Sequence, residues 1–290
     1  MQTRYFKIAE HRFLIETCDV DILSLLPNMQ PFVTEETDPL LFSVTIDNTI
    51  IPSWRGMKVG KFPCPSATFE VYRQENGEYN ILVSDENEIP CAFIISNSNL
   101  TSFKITTRGE TEKVIFGINN SLMVIFTMCT ASLSTLLVHS SVVEYKEKAY
   151  MFLGQSGRGK STHSDLWIKH LKGSRLINDD NPIIRIDKNG TPIVYGSPWS
   201  GKRPIYMNVN YQIGGMATIE QEKENKIRKE SIPFAFGILL SSCSTLKFDK
   251  RIHMHICNSI SSVLEKIPVH TLFCRPDEEA VMVSSKAFGA

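Results

Sequence analysis

The chain has 290 residues, with 31 Lys plus Arg balanced by 31 Asp plus Glu. With 42% hydrophobic and 21% charged residues, the composition is globular and excludes a disordered, collagenous or disulfide-dense chain. Zero net charge removes a global pull toward nucleic acid or anionic membrane and leaves room for a local charged site.

The length suits one large domain or two modest ones. Arg4, Lys7, Glu10 and Arg12 leave no apolar core for a signal peptide at the N-terminus. The seven cysteines are odd in number and contain no C-x-x-C, which predicts free thiols in a reducing cytoplasm.

Strands and turns are predicted for the first 116 residues. Phe69–Arg73 and Tyr79–Val83 flank Asn76-Gly77 and read as a hairpin. Cys91–Ile95, Phe103–Thr107 and Lys113–Phe116 continue the strand pattern. From Val114 to Val143 there is no Asp, Glu, Lys or Arg, and Ser121–Val138 has the length of a membrane span. Ser121, Thr127, Thr130, Ser132, Ser134 and Thr135 are scattered around its helical wheel, so a buried core helix is expected.

Beyond that helix, Ser141–Tyr145 and Ala149–Leu153 read as strands around a Lys-Glu-Lys turn. A helix is expected over Lys160–Leu171. Ile183–Asp187 and Thr191–Tyr195 flank Lys188-Asn189-Gly190 as a second hairpin. Strands are predicted at Ile205–Val209, Phe234–Leu240 and Val269–Cys274, and a late helix over Ile252–Ile267.

The informative stretch is Gly154-Gln155-Ser156-Gly157-Arg158-Gly159-Lys160-Ser161, which fits G-x-x-x-x-G-K-[ST] between a predicted strand and a predicted helix. Glycines allow the positive φ that lets backbone N–H groups curl around phosphate. The helix start adds unpaired N–H groups and the positive end of its dipole. Lys160 can neutralise the β- and γ-phosphates, and Ser161 can ligate Mg²⁺. Arg158 either touches phosphate or is solvated.

Asp179-Asp180 lies just after the next short apolar segment, Leu176-Ile177, with room for one helix and one strand since Lys160. Two carboxylates at a strand end can organise a metal and accept a proton, although Asp-Asp-Asn-Pro is also good turn chemistry. Gly196–Arg203 is a second glycine-flanked loop, ending in Lys202 and Arg203, able to clamp a substrate. A GTPase is disfavoured because Asn225-Lys226-Ile227-Arg228 lacks the Asp that reads guanine. His253, His255 and Cys257 would share a face on a strand and diverge on a helix.

His139-Ser140-Ser141, the glycine-rich loop and Leu176-Ile177-Asn178-Asp179-Asp180, in this order, resemble the catalytic domain of HPr kinase/phosphorylase. That domain is itself similar to the nucleotide-binding half of ATP-dependent phosphoenolpyruvate carboxykinase. The resemblance spans residues 135–275, with its motifs inside 139–203. It implies ATP and Mg²⁺ on the loop, Asp179 as catalytic acid/base, Asp180 as its metal-side partner, His139 near the active site, and a domain that forms homo-oligomers. Residues 1–116 do not resemble the N-terminal domain of that enzyme, and its Pro-Gly-Arg-Asn type segment is missing, which leaves the acceptor open.

The expectation is therefore an α/β catalytic region in a chain that is α+β overall. Residues 1–117 form a β-rich region and residues 118–290 a P-loop kinase-like domain. Gly154, Ser156, Gly157, Arg158, Gly159, Lys160, Ser161 and Thr162 bind nucleotide. Ser161 and Asp180 hold the metal. Asp179, Asp180, His139 and Lys160 carry catalysis, and Lys202 and Arg203 meet substrate. The expected reaction moves the γ-phosphoryl group of ATP to a hydroxyl on a protein, peptide or small molecule, with neither nucleic acid nor membrane as partner. The alternatives are a nucleotide-binding sensor or maturation protein without transfer, or a carboxykinase-like enzyme.

Overall fold

His11–Thr17 alternates buried and half-buried side chains, with Phe13 and Ile15 inward, the period of a strand with one face in a core. The computed structural model describes residues 2–18, 20–36, 39–54, 56–64, 67–154, 157–201 and 203–290. The chain divides into two units, Met1–Thr130 with Leu246–Lys250, and Ala131–Thr245 with Arg251–Ala290. It is an α+β protein built on two mixed β-sheets.

Among the described residues, the first unit holds nine strands in one sheet: β1 (Gln2–Ile8), β2 (His11–Thr17), β3 (Val33–Thr34), β4 (Phe42–Ile46), β5 (Met57–Pro63), β6 (Ala67–Arg73), β7 (Tyr79–Asp85), β8 (Pro90–Ser96) and β9 (Ser102–Thr107). Their order is β3-β1-β2-β4-β9-β8-β7-β6-β5. The pairs β2–β4 and β4–β9 are parallel, and the others antiparallel. A one-turn helix, α1 (Ile22–Leu25), precedes β3. The hairpin expected around Asn76-Gly77 is β6–β7, and four described strands lie upstream of β5, in the region expected to be strands and turns.

Helix α2 (Thr111–Thr130) packs on β7, β8 and β9. By length and composition it could cross a bilayer, yet most of it is buried in its unit. Its hydroxyls find partners inside the helix: Ser121, Thr127 and Thr130 donate to the carbonyls of Gly117, Met123 and Phe126. A Ser or Thr bonded four residues back can enter a core without an unmet donor. The expected strand at Lys113–Phe116 is instead the start of this helix. Its β-branched and aromatic residues favour a strand locally, but a long apolar face against the sheet decides otherwise. The packing of α2 also moves the unit boundary to 130/131 from the expected 117/118.

The second unit carries β10 (Thr135–Leu137), β11 (Ser140–Tyr145), β12 (Lys148–Leu153), β13 (Arg175–Asn178), β14 (Ile183–Ile186), β15 (Pro192–Tyr195), β16 (Asn210–Gln221), β17 (Lys226–Lys229) and β18 (Val269–Cys274). The order is β10-β14-β15-β16-β12-β11-β13, with β18 paired to both β16 and β17. β12 pairs antiparallel with β11 and parallel with β16, which explains its unbroken run of buried residues, Ala149–Leu153. Its helices are α3 (Lys160–His170), α4 (Ile232–Ser242), α5 (Lys250–Leu264) and α6 (Glu278–Phe288). The expected strand at Phe234–Leu240 lies within α4, where Pro233 occupies the first turn, a position helices tolerate. Ile205–Val209 runs into β16 without strand pairing of its own.

Beneath α3, Trp167, Phe152, Tyr150 and Val281 form one buried cluster. His163 sits against it, 2% exposed, with its ring edge-on to Phe152. His163 Nε2 lies 3.1 Å from Ser284 Oγ, and Trp167 Nε1 donates to both. Burial pushes the His163 imidazole down to about 4. An unfolded chain titrates this group near 6.5, so it takes up a proton that the folded chain refuses. Stability is therefore present above pH 6.5 and is lost as pH falls toward 4. Urea titrations at pH 7 and pH 5 should show roughly 2 kcal/mol of this loss, and His163→Gln should flatten it. Equal pH dependence in the two proteins would refute the assignment.

Candidate active site

The loop that ends β12 turns on three glycines with positive φ: Gly154 (130°), Gly157 (83°) and Gly159 (102°). A side chain at Gly157 would meet nothing within 4 Å, so conformation rather than crowding requires glycine there. Gly159 precedes α3 and, lacking a side chain, gives no side-chain cap to the first N–H groups of that helix. Ser156 and Lys202 lie outside the described residues.

Lys160 is the first residue of α3 and is almost wholly buried. Its Nζ donates to the Gly154 carbonyl at 2.8 Å and lies 3.0 Å from His139 Nε2. Burial lowers the Lys160 pKa, and Asp180 and Asp179 oppose that shift. His139 Nδ1 lies 2.8 Å from Asp180 Oδ1. The ring thus donates from Nδ1 and accepts from Lys160 at Nε2, so Asp180, His139 and Lys160 form one chain.

The two carboxylates point different ways. Ser161 Oγ donates to Asp179, 3.0 and 3.1 Å from its two oxygens. Arg203 Nε donates to Asp179 Oδ2 at 2.6 Å, and another Arg203 nitrogen pairs with Asp165 on α3. Burial pulls the Arg203 pKa down, but the hydrogen bonds that Arg203 donates to Asp179 and Asp165 outweigh it and raise the pKa. Asp180, expected beside Ser161, instead pairs with His139 and accepts from Asn181 Nδ2 at 2.7 Å. The Asp179 side chain is 6% exposed, against 30% for Asp180 and 38% for His139.

The loop after β15 holds this arrangement in place. Asn178 Nδ2 bonds Ser197 and the Trp199 carbonyl, and the Asn181 amide donates to that carbonyl. A Cβ on Gly201 would lie 3.3 Å from Asp180 Cβ, so the loop backbone lies against the acidic pair. Arg158 is exposed and pairs with Glu220 of β16 at 2.7 Å. Thr162 is exposed on the first turn of α3. The structure thus brings together His139, Gly154, Lys160, Ser161, Asp179, Asp180 and Arg203, and turns Arg158 toward Glu220.

Sequence reasoning assigned Asn178, Ser197 and Trp199 no role of their own, although they lie in the Leu176–Asp180 motif and in the Gly196–Arg203 loop, and it did not single out Asp165. The first three have a visible signal, an Asn directly before the acidic pair and a Ser-Pro-Trp between glycines. Asp165 has none. Among the described residues, no group of three or more His, Cys, Asp or Glu converges as a metal site. The donors present are hard oxygens, Ser161 Oγ and the Asp179 carboxylate. Mg²⁺ is commonly held by one or two carboxylates together with phosphate oxygens and water, so this set suits it.

A remote likeness to a solved structure accompanies this geometry. The HPr(Ser) kinase/phosphatase from Coxiella burnetii is similar over 53% of this chain and 94% of its own, at 13% identity and a TM-score of 0.29. No family model matches the sequence. No curated protein matches it either.

Proposed function

We propose that this chain is an ATP-dependent phosphotransferase that moves the γ-phosphoryl group to a hydroxyl acceptor. One observation carries it: Lys160, the Ser161–Asp179 pair and the Asp180–His139 pair converge around one glycine-rich loop. Phosphoryl transfer needs phosphate binding, a metal-side oxygen set and a proton acceptor, and it needs them together. A sensor needs only the first.

The residues divide the work by geometry. The loop amides and the α3 N-terminus would bind phosphate oxygens. Phosphate would replace the Gly154 carbonyl and His139 as partner of Lys160, whose desolvation strengthens the attraction to an anion. Ser161 Oγ and Asp179 would hold Mg²⁺, which when bound neutralises charge between the β- and γ-phosphates. His139, oriented at Nδ1 by Asp180, then presents a free Nε2 to the acceptor hydroxyl. This places Asp179 on the metal side and the proton with Asp180–His139, the reverse of the order that the family resemblance implies. The reason is accessibility: Asp179 is enclosed by Ser161 and Arg203, whereas His139 and Asp180 remain reachable.

Purified chain with Mg²⁺ and ATP labelled at the γ-position should transfer label to serine-containing peptides, free serine or small alcohols. Bound ATP with no label on any hydroxyl compound would overturn the proposal in favour of a sensor.

A further inference from the structure

Helix α5 carries His253, His255 and Cys257, a trio with no part in the site above. The helix separates them. His253 and Cys257 are four residues apart on one face, with Cys257 Sγ 3.7 Å from His253 Nε2. His253 Nδ1 lies 3.1 Å from the Thr245 carbonyl. A carbonyl only accepts, so Nδ1 carries the proton and Nε2 offers its lone pair to the thiol. The result is a nucleophile beside a base, with the base oriented by a third group. Both side chains are partly exposed. His255 diverges, which removes the metal-binding arrangement weighed from sequence.

We propose that Cys257 is a thiol-modification site, activated by His253, that takes small disulfides. The step balances. The Cys257 proton passes to His253 Nε2, and the sulfur attacks one sulfur of R–S–S–R. A Cys257–S–S–R bond forms as the reagent's S–S bond breaks. The departing thiolate takes the proton from His253 and leaves as R–SH. The disulfide reagent is the oxidant, and no further electron acceptor is needed.

Other cysteines are less suited. Burial raises the thiols of Cys91 and Cys129, and pushes Cys243 up to about 12 and Cys274 up to about 11; Cys64 is exposed, though its surroundings still raise its thiol. Such thiols hold their protons at neutral pH and react slowly. Cys243 stands two residues before Thr245 and is close enough to Cys257 to feel its charge. Cys18 is exposed and serves as an internal reference. Among the described residues, Cys257 is the cysteine with an imidazole in hydrogen-bonding reach.

The test treats the full chain with hydroxyethyl disulfide at pH 7 and follows each cysteine by peptide mass. Cys257 should form its adduct about tenfold faster than Cys18 in the same molecule. His253→Gln should slow Cys257 by about tenfold and leave Cys18 unchanged. The comparison within the wild-type chain stands even if that variant misfolds. A faster Cys18, or a Cys257 rate unaffected by His253→Gln in a folded protein, overturns the proposal. Neither readout depends on nucleotide chemistry.

Discussion

Lys160→Ala should lower ATP affinity about 10- to 100-fold and bring phosphoryl transfer below detection. The magnitude follows from losing a charged hydrogen bond to phosphate, worth roughly 1.5–3 kcal/mol. Stability should move in the opposite sense. Lys160 is almost wholly buried, and burial already lowers its pKa, so its charge opposes folding before ligand arrives. The alanine variant should therefore melt at the wild-type temperature or above it. Titration calorimetry reads the affinity and a thermal scan reads the stability. An unchanged affinity would show that the loop is not a phosphate site.

Asp179→Asn should keep ATP bound and cut transfer by about 10²- to 10³-fold. The asparagine carbonyl can still accept from Ser161 and Arg203, so the local shape survives while the negative charge is lost. If Asp179 stands on the metal side, the Mg²⁺ needed for half-maximal transfer should rise by about tenfold, and excess Mg²⁺ should restore part of the rate. Transfer measured across a Mg²⁺ titration decides this. A lost rate that no Mg²⁺ concentration improves would return the proton-accepting role to Asp179. An unchanged rate would remove Asp179 from the chemistry.

Legibility in the sequence followed the range of the forces involved. The glycine-rich loop was readable because its demands are local: positive φ at Gly154, Gly157 and Gly159, a strand before and a helix after. Both expected hairpins formed for the same reason, since a turn residue between two apolar runs acts over few residues. Lys113–Phe116 and Phe234–Leu240 were misread because Val, Ile and Phe favour strands locally, while packing made both segments helical. Strand β4 was hard to see because both of its partners, β2 and β9, are set by long-range pairing. The parallel β2–β4 contact joins runs separated by α1 and β3.

The site shows the same division. The amino-acid sequence by itself determined the loop, the lysine and serine that open α3, and the presence of two adjacent carboxylates, because these depend on residue type and spacing along the chain. Only the tertiary structure decided how the carboxylates are used. It put Asp179 against Ser161 and Arg203, and Asp180 against His139, which stands forty-one positions earlier. Neighbouring side chains at a strand end point in different directions, and the partner each meets is supplied by another part of the sheet. Adjacency in sequence could therefore announce an acidic pair but could not assign its two members.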